Sequence, residues 1–481
     1  MAAVEKAIGA HGLRELLGNW RQGGGSAYRM LAMSVRALVL DGRVAAESRL
    51  PAERELATAL TVSRTTVAAS YELLRTQGFL TSRRGAGSFV VRPKGGLEPG
   101  GGRVIDLTAA AMSAPEPWLS RAMDAAVAEL PRYARTHGDF PAGLQVLRAA
   151  IAARYEQRGL PTTAEQIIVT SGATGAFTLL LRELTVPADR VAVESPGHPN
   201  LLRALSLTGA GPVPVRMPDD GWDTGDWAGV FRTAAPRLAF VSPDFHSPTG
   251  LLMSGEQRRE LVSLSRSTGV TLLVDETMAE LSLDPGTAMP LPLAAHGASG
   301  MGGTVITVGS AGKTFWGGLR IGWIRATPEL VRRLAARRAG LDIGSPVVEQ
   351  LAVAQLLSGE AVLTQVLSHQ RDRVRSRREA LVAALRRELP DWTFRVPGGG
   401  LALWVRTGGE SASVLAAAAA RMGVRLAAGP CHGTDGFLEE FVRLPFTQPP
   451  EVITEAVRRI GAARKTGRSD TVAHHAAPAV L

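Results

Sequence analysis

The chain has 481 residues, 45% of them apolar and 20% charged, with a formal net charge of +10 and a single cysteine. That length suits roughly three packed units at about 150 residues each, and the aliphatic content excludes a disordered chain. No apolar run approaches the ~20 residues of a membrane span and no signal-like segment opens the sequence, so a cytoplasmic protein with no membrane partner is expected. The lone Cys431 excludes a disulfide framework and a cysteine-based metal site, no metal is expected, and the residue reads as a small core side chain.

The first segment, residues 12–92, is basic: residues 11–92 hold twelve arginines against six acids, a surplus suited to phosphate contacts. Leu50-Pro-Ala-Glu-Arg-Glu-Leu-Ala-Thr-Ala-Leu60 puts Pro51 at a helix start with acids in the first turn, where they offset the positive helix end. Thr61-Val-Ser63 reads as a tight turn, with Ser63 capping a second helix from Arg64 to Gln77. Val67, Tyr71 and Leu74 share its buried face. Arg64, Thr65 and Thr66 are then left at the exposed first turn, the position from which a recognition helix touches the major groove. Gly78 closes the helix, and Phe79 to Val91 reads as a two-stranded ribbon with a basic tip, Arg83-Arg84-Gly85.

This head resembles the GntR family of bacterial regulators through Leu50-Pro-Ala-Glu-Arg-Glu-Leu-Ala57, Val62-Ser-Arg-Thr-Thr-Val67 and Gly85-Ala-Gly-Ser-Phe-Val90. The resemblance implies a winged helix-turn-helix that binds a double-stranded DNA operator through Arg54, Ser63, Arg64, Thr65, Thr66 and a wing of Arg83, Arg84 and Gly85.

Residues 93–104, rich in glycine and proline, read as a flexible linker. From 105 to 344, short aliphatic runs such as Ile167-Ile-Val-Thr170, Arg190-Val-Ala-Val-Glu194 and Val270-Thr-Leu-Leu-Val-Asp275 alternate with helical patterns. Such runs predict a mostly parallel, open α/β sheet whose ligands sit beyond the strands' carboxyl ends. Residues 345–465, beginning with one long helical pattern through Leu389, predict a smaller α+β domain. The tail, 466–481, lacks apolar periodicity and is expected to be disordered.

Lysine is scarce. Only Lys6, Lys94, Lys313 and Lys465 occur, so Lys313 stands alone where arginine fills the other basic positions. That isolation points to chemistry arginine cannot do, the use of a deprotonated amine. Lys313 lies in Ser310-Ala-Gly-Lys-Thr-Phe-Trp-Gly-Gly-Leu-Arg-Ile-Gly322, directly after a predicted buried strand. Ser310 and Arg320 suit a phosphate dianion, and Thr170-Ser-Gly-Ala-Thr-Gly-Ala176 offers free N–H groups at a helix start to the same group. Asp275, at the end of its strand, suits a protonated pyridine nitrogen.

Together these motifs resemble the fold type I enzymes that carry pyridoxal 5'-phosphate, the aspartate aminotransferase group, over about residues 105–463. The resemblance implies Lys313 as Schiff-base lysine and Asp275 on the ring nitrogen. It implies Gly172, Ala173, Thr174, Ser310 and Arg320 around the phosphate, and Arg443 on a substrate or effector carboxylate. Three positions depart from that pattern: His198 stands where an aromatic ring stacks, Ser247 where an asparagine meets the ring hydroxyl, and Met278 where many relatives have tyrosine. These departures predict that the cofactor is kept while transamination is weak or absent.

Head, linker and body in this order resemble the MocR subfamily of transcription regulators. The resemblance implies a homodimer whose body senses a small amino compound, or pyridoxal phosphate itself, and alters operator binding. The alternatives are a working aminotransferase with a fused DNA-binding domain and a repressor with a vestigial, empty body.

Overall fold

The structure is a computed structural model that describes residues 7–18, 20, 26–40, 44–45, 47–76, 79–83, 87–91, 104–297, 305–434 and 437–473. The chain divides into two compact units: Met1–Asp106 with Ser413–Arg425 and Arg459–Leu481, and Leu107–Ala412 with Leu426–Arg458.

In the first unit, the helices Ala10–Leu17, Ala27–Leu40, Glu53–Leu60 and Arg64–Thr76 enclose Leu13, Leu31, Val35, Leu56, Val67, Tyr71 and Leu74. Thr61 turns the chain with φ of 54°, and the Thr66 N–H donates to Ser63 Oγ at 3.1 Å. That bond satisfies one of the amides a helix start leaves unpaired, so the fourth helix begins at Arg64. Pro51, expected at a helix start, lies just outside it: the helix begins at Glu53, and the Glu55 carboxylate accepts the Ala52 N–H at 3.3 Å. The cause is Tyr71, whose hydroxyl donates to the Pro51 carbonyl at 2.9 Å and holds that residue in the core. Strands Leu80–Arg83 and Gly87–Val90 pair antiparallel, with Ser82 opposite Ser88. Arg75 fastens this ribbon to the helix by donating to Ser82 and Ser88 at 3.3 and 3.4 Å.

The second unit holds a seven-stranded sheet in the order Ile167–Thr170, Gly322–Arg325, Val305–Ser310, Thr271–Asp275, Leu238–Val241, Arg190–Ser195, Gly211–Arg216. Gly322–Arg325 runs antiparallel to both neighbours and the other pairings are parallel. Helices cover both faces. Phe240, Leu273 and Val308 pack with the Gly172–Leu184 helix on one side, while Ala239, Val241, Leu272 and Val274 meet Trp227, Phe231 and Leu261 on the other. Because the strands are buried on both faces, they read as unbroken aliphatic runs. A smaller antiparallel sheet joins Thr393–Phe394, Ala402–Arg406 and Phe441–Pro445, extended by Ala427 and Ala428.

Three expectations differ from the fold. The helical pattern read as continuous from 345 to Leu389 is two helices, Val347–Leu357 and Glu360–Glu388, set at 94° across Ser358 and Gly359. The first of these packs with the Trp118–Glu129 and Gln145–Gln157 helices in the core of the larger sheet, not in the smaller lobe, because apolar residues lie all round it with only Glu349, Gln350 and Gln355 among them. The tail expected to be disordered from 466 continues the Pro450–Ala473 helix, since extending an existing helix fixes one residue per hydrogen bond and nothing in that stretch breaks it; residues 474–481 lie outside the described residues. Cys431 is exposed, because the short turn Gly429–His432 faces Gly429 and His432 inward instead. Among the described residues no single helix is long and apolar enough to cross a membrane.

The Ser63 cap is open to a local test. Ser63→Ala should cost about 1 kcal/mol of helix stability, seen as a roughly fivefold loss of hydrogen-exchange protection at the Val67–Leu74 amides. Unchanged protection there would show that the helix start does not depend on the serine.

Candidate functional site

The carboxyl ends of the strands build an anion cup. Gly322 lies between Thr170 and Ser310 in the sheet register, and a Cβ there would stand 2.5 Å from the Gly172 carbonyl carbon. Gly172 itself has φ of +75°, and a Cβ on it would meet Arg320 Nη2 at 3.0 Å. The missing side chains let the start of the Gly172–Leu184 helix lie directly against the neighbouring strand, with the free N–H groups of Gly172, Ala173 and Thr174 in its first turn. Arg320, held at φ of 51°, donates from Nη2 to the Ser171 carbonyl at 3.2 Å. Ser310 Oγ accepts the Gly312 N–H at 3.0 Å and faces the Ile321 carbonyl at 3.3 Å.

Lys313 extends from the single-turn helix Ala311–Thr314, and its Nζ donates to the Ala110 carbonyl at 2.5 Å. Burial lowers its pKa to about 8, with the Arg443 cation pushing the same way and Asp275 opposing. Asp275, whose Oδ1 accepts the Thr277 N–H at 2.9 Å, is raised above the usual carboxylate range by burial, against the pull of Thr277 and Lys313. His198 caps the Pro199–Ser206 helix, its Nδ1 accepting the Asn200 N–H at 3.2 Å. Burial, then Lys313, Arg443 and His246, push it down to about 3, so it presents a neutral ring. Arg443 donates to the Thr108 carbonyl, and its buried Nε has no partner among the described residues. An unpaired buried N–H costs about 1–3 kcal/mol, which an anion's oxygen would relieve. Ser247 is half-buried in the Asp244–Gly250 turn, and Met278 is buried just after the Asp275 strand.

These groups fit pyridoxal 5'-phosphate: an amine that loses its proton more readily than an ordinary lysine, a buried acid, and a cup of helix amides, hydroxyl and guanidinium for the phosphate.

Much of what supports the site had no motif to mark it. Glu194 accepts the Trp222 indole N–H at 2.6 Å and the Ser242 N–H at 3.1 Å, and lies 3.3 Å from His246 Nε2. His246 Nδ1 in turn meets Thr249 Oγ1 at 2.8 Å, which fixes the turn that carries Ser247. Asp244 pairs with Arg258 at 2.7 Å, and Glu276, next to Asp275, pairs with Arg158 at 2.8 Å. The only sequence clue was a charge inside or just after an aliphatic run. The 108–114 segment gave none, yet Arg443, Lys313, Thr447 and Arg373 bond in turn to the carbonyls of Thr108, Ala110, Ala109 and Ala114.

In the head, Arg54, Ser63, Arg64 and Thr65 are exposed, and the first three border a shallow surface depression of about 770 Å³ with Thr61 and Val62. Ser63 Oγ lies 2.7 and 2.8 Å from the hydroxyls of Thr65 and Thr66, and Arg64 pairs with Glu53 at 3.4 Å. Arg83 ends the first ribbon strand, while Arg84 and Gly85 lie outside the described residues. Among the described residues no group of three or more His, Cys, Asp or Glu is arranged to hold a metal ion.

Residues 107–460 match the family described as aminotransferase class I and II, and residues 27–90 match bacterial regulatory proteins of the gntR family. The "Probable rhizopine catabolism regulatory protein MocR" of Rhizobium meliloti is 30% identical, covering 76% of this chain and 78% of its own. The pyridoxine biosynthesis transcriptional regulator PdxR of Corynebacterium glutamicum is 30% identical, over 77% of this chain and 81% of its own. The crystal structure of LysN, an alpha-aminoadipate aminotransferase from Thermus thermophilus complexed with N-(5'-phosphopyridoxyl)-L-leucine, is 26% identical with a TM-score of 0.69, covering 76% of this chain and 93% of that one.

The lowered lysine pKa has two consequences in cofactor-free protein. Lys313 should react with an amine reagent with a midpoint near pH 8, read by peptide mapping, rather than near its ordinary 10.5. Between those values the unfolded chain binds the proton more tightly than the folded one, so the lysine makes stability rise with pH from about 8 to 10.5. Lys313→Met should remove that rise in denaturant titrations, and an unchanged slope would refute the assignment.

Proposed function

Because this chain belongs to the aminotransferase class I and II family and, with its GntR head, to the MocR subfamily of transcription regulators, we propose that its body senses an amino compound or pyridoxal 5'-phosphate and alters operator binding. Pyridoxal phosphate joined to the Lys313 amine through its former aldehyde carbon would supply an electrophilic carbon for amines and a ring that draws electrons. Asp275 supports the ring nitrogen, the cup of Gly172, Ala173, Thr174, Ser310 and Arg320 anchors the phosphate, His198 offers an uncharged ring face, and Arg443 binds a carboxylate. Ser247 reaches less far than asparagine and Met278 offers no hydroxyl, so both weaken the usual control of the cofactor's ring oxygen and favour sensing over turnover.

One observation carries this reading: Lys313 and Arg443 donate to the Ala110 and Thr108 carbonyls, in the segment that follows the linker from the head. A ligand that takes either donor competes with that backbone. Occupancy of the site and the path of the chain toward the head are therefore linked, and a ligand with different affinity for the two arrangements shifts DNA binding. The subunits act as a homodimer in the cytoplasm, one head per half-site, with Arg54, Ser63, Arg64, Thr65, Thr66, Arg83, Arg84 and Gly85 on the DNA. The retention of both Lys313 and Asp275, each buried and within electrostatic reach of the other, favours a second reading, a working aminotransferase. Turnover of an amino donor with a keto acid at rates of dedicated enzymes would establish it.

With an operator selected from random duplexes, the cofactor-loaded protein should change its operator affinity when titrated with amino acids and amines. Lys313→Ala should lose both the near-visible absorbance of the loaded lysine and the ligand response. A full response in that variant rejects the proposal. Arg64→Gln should weaken operator binding and reduce the slope of log affinity against log salt by about 1.

A further inference from the structure

Beside the cofactor cleft, a separate cavity of about 760 Å³ opens between the two lobes of the body. It shares Ser195 and Pro196 with the loop leading to His198, but Lys313, Asp275, Ser310, Arg320 and Arg443 take no part in its lining. Its walls combine cations with aromatic faces. Arg216 comes from the edge strand of the large sheet, and Arg395 and Arg406 from the smaller lobe. The side chains of Arg216 and Arg395 are exposed and, among the described residues, make no hydrogen bond or ion pair. Arg406 lies over the Phe441 ring at 5.0 Å and pairs with Glu440 at 3.6 Å. Trp404 and Phe441 stack with centroids 5.0 Å apart and planes within 3°. Asp219 is the one carboxylate in the lining against three guanidiniums.

We propose that this cavity binds a small planar aromatic carboxylate, its ring against the aromatic wall formed by Trp404 and Phe441 and its carboxylate held by Arg216 and Arg395. A flat ring packs against such an aromatic wall, offset or edge-on, and guanidiniums match a carboxylate's two oxygens. With Arg406 paired to Glu440 and Asp219 in the lining, the remaining guanidinium excess favours an anion over a cation. Because Trp404 is the cross-strand partner of Arg443, a ligand seated there ties the large lobe to the strand that carries the carboxylate-binding arginine. The cavity then acts as a second, regulatory site, and the inference stands independently of what the Lys313 site senses.

The test is calorimetric titration of the full-length, cofactor-loaded protein with salicylate and with salicylamide, which has the same shape without the charge. Salicylate should bind once per chain, and salicylamide at least about tenfold more weakly. Arg216→Gln and Arg395→Gln should each weaken salicylate about tenfold, with unchanged circular dichroism melting because both side chains are exposed. Equal binding of the amide, unchanged affinity in both arginine variants, or no salicylate binding at millimolar concentration would overturn the proposal.

Discussion

An amine deprived of water, pressed by one cation and steadied by one anion, is the constraint around which the body is organised. Burial and Arg443 push the Lys313 pKa down while Asp275 opposes them, and Thr277 and then Lys313 offset the burial of Asp275. Lys313, Asp275 and Arg443 come from distant parts of the chain, so the sheet must deliver Asp275 and Ser310 at the same strand ends while the smaller lobe delivers Arg443. The two glycines at 172 and 322 serve the same end, since a single methyl at Gly322 would separate the helix start from the strand beside it.

The same donors also reach backward along the chain. Hydrogen bonds from charged groups contribute about 1.5–3 kcal/mol each, and couplings between allosteric sites are typically about 1–3 kcal/mol. Two such bonds, from Lys313 to Ala110 and from Arg443 to Thr108, are therefore of the size needed to link a ligand site to the segment next to the linker. Polar contacts behind the cleft limit how the rest can move. Glu194, His246 and Thr249 form a chain of bonds that holds the turn bearing Ser247, and the Asp244–Arg258 and Glu276–Arg158 pairs hold the turns on either side.

What was legible in the sequence was what acts locally or by contrast. Ser63 announced a helix start because a hydroxyl before a helical run is suited to cap it, and Lys313 stood out because arginine had replaced lysine around it. The Glu194–His246 contact was illegible, since the two residues are far apart in sequence and neither has a motif. Val347–Leu357 was assigned to the wrong lobe for a related reason: a helix apolar on all sides states that it is buried but not against what. Cys431 was misjudged because a small residue in a turn follows the turn's direction rather than its own polarity.

By itself the sequence determined that a DNA-binding head precedes an α/β body and that the body's strands run mostly parallel, and it pointed to Lys313, Asp275, Arg320 and the Gly172 turn as candidates for one cofactor site. Periodicity, caps and residue chemistry are properties of short stretches, and they survive without coordinates. Only the tertiary structure decided that Gly322 makes room for the helix start, that Lys313 and Arg443 hold the 108–110 backbone, and that Arg216 and Arg395 share a cavity with a stacked aromatic pair. Those facts depend on distances between residues far apart in the chain, which close packing sets and local pattern does not encode.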